Sequence, residues 1–124
     1  MSEHREQCAL FEWAARAAPR RPGLELLHAI PNAGGYTGGY RQNARRVQAM
    51  KREGVRPGVP DVCLPVPAGG FAGLYIELKA GRNKTTEAQD WWLEKLRQRG
   101  YAAAVCRGWE EARDLIEKYL DGAL

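Results

Sequence analysis

Residues 59–81 read VPDVCLPVPAGGFAGLYIELKAG, two apolar runs joined by a short link that holds Gly69 and Gly70. The first run, Val59 to Val66, is interrupted by Pro60 and Pro65, so it is expected to lie at a sheet margin or to end near Leu64. The second, Phe71 to Lys79, reads as a continuous strand. Two strands joined by so short a link are expected to be antiparallel neighbours. Along the second strand the side chains alternate faces, so Glu77 and Lys79 share one face while Leu78 points into the core. With the first strand paired beside it, Asp61 can come level with Glu77, which brings two hard oxygen ligands together.

Outward from this pair the pattern alternates helix and strand. Thr86 to Arg99 is expected to be helical, capped by Thr85 or Thr86, with an apolar stripe through Ala88, Trp92 and Leu96 that Trp91 and Leu93 widen. Tyr101 to Cys106 (YAAAVC) reads as a buried strand. Trp109 to Leu120 reads as an amphipathic helix whose Ala112, Leu115, Ile116 and Tyr119 face inward. The strand–helix–strand unit through Ile76 and Val105 is expected to cross over right-handed with its strands parallel.

Upstream, Glu3 to Ala18 can form a helix started by Ser2, with Cys8, Phe11, Ala15 and Ala18 on one stripe, widened by Leu10 and Ala14. Pro19 and Pro22 end it, and Leu24 to Ile30 (LELLHAI) reads as a strand. Asn32 to Gly39 is a glycine-rich loop, and Tyr40 to Arg52 is a helix with few apolar residues, stopped by Gly54. The order is αβαββαβα, an α/β fold with a mixed central sheet flanked by helices.

The chain has 124 residues, 44% of them hydrophobic, enough for one core, so residues 1–124 are read as a single domain. No apolar run approaches the roughly 20 residues that span a bilayer and Met1 to Arg16 has no signal-peptide pattern, so a cytoplasmic protein is expected. Cys8, Cys63 and Cys106 are an odd, widely spaced set without a Cys-x-x-Cys pair. Each is read as a small buried hydrophobe rather than a disulfide partner, zinc ligand or nucleophile.

The formal net charge of +4 says little, but its distribution says more. Between Gly34 and Arg56 six basic residues, Arg41, Arg45, Arg46, Lys51, Arg52 and Arg56, face one acid, Glu53. Such an excess suits a phosphate backbone, whose neutralisation releases counterions. His28, at a strand end before Ile30-Pro31-Asn32, is open to a phosphate, a base or a neighbouring carbonyl. His28, Asn32, Arg41, Arg45, Arg46 and Lys51 are the candidate DNA contacts.

Asp61, Glu77 and Lys79 together suit metal-assisted phosphodiester hydrolysis. Mg2+ or Mn2+ prefers oxygen ligands and keeps several waters, so Asp61, Glu77 and the backbone carbonyl of Leu78 could hold one and leave positions for a phosphate oxygen and a nucleophilic water. Lys79 could orient that water, take its proton, or stabilise charge on the phosphorus oxygens. A lone Glu-x-Lys is usually a surface ion pair. Here the surrounding YIELKAG is apolar, and burying both charges without a purpose would be costly.

The motif Pro60-Asp61 with Glu77-Leu78-Lys79 resembles the PD-(D/E)xK nuclease superfamily. The wider frame is similar to the virus-type replication-repair nuclease (VRR-NUC) domain over nearly the whole chain: HAIPNAGG at 28–35, EGVRPGVPDVCLPV at 53–66, GLYIELKAG at 73–81, Gln89 in a helix, and GYAAAVCRGWEEA at 100–112. The resemblance implies a restriction-endonuclease-like fold and a metal-dependent DNA endonuclease acting on branched DNA, four-way (Holliday) junctions or flaps, as a homodimer. It implies Asp61 and Glu77 as metal ligands, Lys79 as the catalytic lysine and Gln89 as an auxiliary residue. It also implies a first-helix glutamate, for which Glu3, Glu6 and Glu12 compete; Glu3 is preferred because it precedes Gln7 by one turn. The rival from another class is a DNA-binding module with an inactive nuclease fold.

Overall fold

The computed structural model describes residues 1–31 and 40–124, with the backbone alone for residues 40–43; the glycine-rich loop and Asn32 lie outside the described residues. The order is α1 (Glu3–Ala17), β1 (His28–Ala29), α2 (Tyr40–Arg52), β2 (Val62–Leu64), β3 (Leu74–Lys79), α3 (Glu87–Gln98), β4 (Ala102–Arg107) and α4 (Trp109–Leu120). This is the αβαββαβα order read from the sequence. The strands form one mixed sheet, β1-β2-β3-β4. The pairs β1–β2 and β2–β3 are antiparallel, and β3–β4 is parallel.

The sheet has two different faces, set by alternation along β3. Leu74, Ile76 and Leu78 belong to the main core, where Leu10 and Ala14 of α1 and Ala112, Ile116 and Tyr119 of α4 pack against the sheet. Tyr75, Glu77 and Lys79 turn to the opposite face. There α3, which buries Leu93, lies against β4.

Three local expectations need correction. Only His28 and Ala29 of the expected strand 24–30 are extended. Gly23, at φ +97°, turns the chain, and Leu24–Leu26 form a 3-10 turn closed by the Leu27 N–H to Leu24 carbonyl bond at 3.1 Å. In α1 the buried stripe is Glu6, Leu10, Ala14 and Ala17, rotated by one residue from the expected one, and it leaves Cys8 and Ala15 exposed. In α3 only Leu93 is buried. Ala88 is exposed, Trp92 is half-buried with its indole N–H bonded to the Pro57 carbonyl at 3.0 Å, and Trp91 stands 55% exposed.

Two glycines make the close approaches that hold the site in place. Gly58, at φ +87°, lets the turn before Asp61 press on α3, since a Cβ there would lie 2.7 Å from the Ala88 carbonyl oxygen. Gly108, at φ +93°, leaves room for Glu6, because a Cβ would meet Glu6 Oε2 at 2.8 Å. That carboxylate accepts the Trp109 N–H at 3.2 Å and so caps α4. No described helix is long and apolar enough to cross a membrane.

Candidate active site

Pro60 and the register of β2 and β3 set the position of Asp61. The ladder pairs Leu64 with Leu74 and Val62 with Ile76, so its next rung would pair Pro60 with Leu78. The Asp61 side chain takes that rung instead: Oδ2 accepts the Leu78 N–H at 2.8 Å. The Leu78 carbonyl projects to the same side of β3 as its N–H. Pro60 has no N–H to donate to it.

One step along the register, Asp61 comes level with Glu77, on the face opposite the main core. Glu77 is only 2% exposed. Its Oε2 accepts the Gln89 side-chain N–H at 3.2 Å and lies 3.7 Å from Lys79 Nζ, itself on a buried residue. Among the described residues no donor reaches the buried Oε1. Burial pushes the Glu77 carboxyl up from the ordinary 4.5 to about 8, helped by the neighbouring Asp61 carboxylate, through its charge and hydrogen bonding, and more weakly by the charge of Glu3; Lys79 pulls the other way.

Gln89 does two things at once. Its backbone N–H donates to Thr86 Oγ1, and its side-chain oxygen accepts the Thr86 N–H at 2.9 Å, a capping box that starts α3. The same amide points its NH2 group at Glu77, so the start of the helix and the orientation of the carboxylate are one arrangement.

The three first-helix acids separate clearly. Glu3 reaches the far end of β3, where Oε2 accepts from Asn83 Nδ2 at 2.9 Å and its charge is felt at Glu77. Glu6 is committed to the α4 cap, and Glu12 is exposed. Behind this end of the sheet Arg107 Nη1 donates to the carbonyls of Gly81 and Asn83, at 3.2 and 2.6 Å, and so holds the turn that carries Asn83. Neither Asn83 nor Arg107 stood out in the sequence, because their partners are carbonyls or side chains distant along the chain.

The expected DNA contacts spread more widely. His28 is exposed and pairs with Cys63, which puts it on the Glu77 face, its Nδ1 bonded to the Leu26 carbonyl at 2.9 Å. Arg45, Arg46 and Lys51 are exposed on α2, where Ala44, Arg45, Gln48 and Arg52 line an open groove of about 540 Å³. The side chain of Arg41 and all of Asn32 lie outside the described residues.

Comparison with known proteins supplies an independent reading. The VRR-NUC domain family model matches residues 38–110, more than half of the chain. A solved structure described as a VRR_NUC domain protein superposes with a TM-score of 0.78 at 28% identity, over 98% of this chain and 90% of that one. That likeness fits a restriction-endonuclease-like fold. No curated protein matches the sequence.

Proposed function

Because this chain belongs to the VRR-NUC domain family and so to a family of nuclease domains, we propose that it is a Mg2+- or Mn2+-dependent endonuclease hydrolysing phosphodiester bonds in DNA. Branched DNA, four-way junctions or flaps, is its preferred substrate, and it works as a homodimer. The observation that carries this reading is the buried Glu77 Oε1, which among the described residues has no donor, beside Asp61 and Lys79. An anionic oxygen buried in that way is costly unless a cation completes it.

The donor set fits such an ion. Asp61, Glu77 and the Leu78 carbonyl are hard oxygen ligands on one side of β3, and few protein ligands is the usual state of Mg2+, which keeps waters. Among the described residues no three His, Cys, Asp or Glu side chains converge, so the set is two carboxylates and a peptide oxygen rather than a zinc-type cluster. When bound, the ion would polarise the phosphate and acidify a water.

The protein's own groups do the rest. Gln89 holds the Glu77 carboxylate in one orientation, and Glu77 holds the Lys79 ammonium in the site. Lys79 then orients the attacking water, or takes its proton, and stabilises charge growing on the phosphoryl oxygens. Glu3, fixed by Asn83, adds a further acceptor at the rim. The basic face of α2 tracks the phosphate backbone, with His28 on the sheet face of the site.

Incubation with flap, four-way and linear DNA, in Mg2+, Mn2+ or chelator, tests this function. Cleavage should need a divalent ion and should disappear in Glu77→Ala. Cleavage that persists in chelator, or in that variant, rules the mechanism out. Metal-independent binding with no cleavage of any substrate would identify an inactive nuclease fold instead.

A further inference from the structure

The turn between α2 and β2 forms one side of a pocket next to the candidate site. Ile30, Val55, Val59 and Trp92 give it apolar walls, the exposed Glu53 and Arg56 complete the lining, and its volume is about 330 Å³. That is the low end of the range for small-ligand pockets, roughly 300–1,000 Å³, and is room for one planar ring system. The pocket and the site share their walls. Val59 lies on the turn that carries Asp61, Ile30 donates its N–H to the Asp61 carbonyl at 2.8 Å, and Trp92 follows Gln89 by about one turn of α3. Gly58 presses that turn onto Ala88, so the two walls are locked together. The Trp92 ring is fixed before any ligand arrives, because its Nε1–H donates to the Pro57 carbonyl at 3.0 Å and the Trp91 ring meets it edge-on, centroids 5.6 Å apart and planes at 84°. A preset aromatic face loses little freedom on binding.

We propose that this pocket takes one unpaired nucleobase of the DNA, from a nucleotide next to the phosphate held at Asp61 and Glu77. Charge and continuity select this occupant. The groove that Arg45 and Arg52 line runs to the end of α2, and Glu53, the next residue, already lines the pocket. A strand whose phosphates follow α2 is thus delivered to the pocket, where Arg56 is a further cation for the backbone. Glu53 repels phosphate and accepts from a base N–H, so it turns the base inward rather than the backbone.

The consequence for function rests on the nuclease reading given above. Stacking on an indole suits every base, since each has a π face, so the pocket does not select sequence. It selects structure. A base in an intact duplex must be unstacked and unpaired before it can enter, and that cost is least for a nucleotide that a branch has already left unpaired. Trp92 and its pocket therefore favour DNA with a branch beside the scissile phosphate over continuous duplex.

Binding in chelator, where nothing is cut, tests the pocket apart from the chemistry. Fluorescence anisotropy compares a duplex with the same duplex carrying a short single-stranded flap, and the ratio of the two affinities is read, so a general change in phosphate binding cancels. The wild type should favour the flap by about tenfold. Abasic sugars in place of the flap's first nucleotides should remove that preference, with no change to the protein. Val55→Phe, which fills the pocket and leaves Trp92 in place, should remove it as well. Trp92→Phe keeps an aromatic face without the bond to Pro57, so it should retain most of the preference, which a purely structural role for the indole would not allow. A wild type without the preference, a preference that survives abasic sugars or Val55→Phe, or its loss in a folded Trp92→Phe would overturn the proposal. Expected ratios from a protein that cuts no DNA in Mn2+ would leave the pocket standing and sink the nuclease reading alone. Flap cleavage in Mn2+ beside a Val55→Phe ratio that does not change would do the reverse.

Discussion

The Asp61 carboxylate stands opposite the Leu78 N–H, at 2.8 Å, where an unbroken ladder would place a peptide carbonyl. Pro60 gives the rung to a side chain, and the substitution turns the end of β2 into one wall of the candidate site. One oxygen of Asp61 serves the fold, and the carboxylate as a whole serves the site.

Asp61→Asn and Asp61→Ala should therefore separate these duties. The Asn variant keeps an acceptor for Leu78 and should retain nearly all stability while reducing cleavage by roughly a hundredfold or more. The Ala variant leaves a buried N–H without a partner and should cost about 1–3 kcal/mol in addition. Equal stability losses in urea denaturation of the two variants would contradict this division.

Glu77 makes the metal-free fold sensitive to pH. Its carboxyl lies at about 8 in the folded chain against an ordinary 4.5, so the fold holds the proton more tightly than the unfolded chain does. Stability from this group is complete below about 4.5 and is lost as pH rises through about 8. In chelator, Glu77→Gln should thus gain stability over the wild type as pH rises from about 4.5 to about 8. A difference between the two proteins that stays flat with pH, in denaturant melts, argues against the burial of this charge.

Glu3 and Glu6 should fail in different ways. Glu3→Gln, at an exposed hydrogen bond to Asn83, should lower the cleavage rate several-fold with the melting temperature unchanged. Glu6→Ala removes the α4 cap from a buried position and should cost about 1–2 kcal/mol before any effect on rate. Calorimetry beside single-turnover kinetics reads both, and the opposite pattern would exchange their roles.

Much of this was legible in residues 59–81 alone, because a two-residue period and a short link fix which side chains share a face. Asp61, Glu77 and Lys79 came together from that pattern, and the helices and strands follow in the order read. The α1 stripe was displaced because Glu6 occupies a buried position that periodicity assigns to an apolar residue; its reason, the Trp109 N–H, lies 103 residues away. LELLHAI failed as a strand because a short apolar run does not distinguish extended chain from a tight turn, and Gly23 at positive φ selected the turn. The exposure of Trp91 and the seating of Trp92 on Pro57 depend on the Gly58 contact with α3, which no local pattern encodes.

On α2, Arg45 and Arg46 are expected to bind phosphates. Replacing both with Ala should weaken DNA binding equally for all sequences and reduce the slope of log affinity against log salt by about 1 for each phosphate no longer neutralised. Anisotropy titrations at several salt concentrations measure the slope; one that does not change moves the DNA path off this helix.

Asp61 and Glu77 are expected to share one divalent cation, and every catalytic role assigned above depends on it. Anomalous diffraction from crystals soaked in Mn2+ tests this most directly. A peak is expected about 2 Å from a carboxylate oxygen of each residue, with Glu77 Oε1 among them. A protein that cleaves DNA in Mn2+ yet shows its peak away from Glu77, or bound by only one of the two acids, would contradict it.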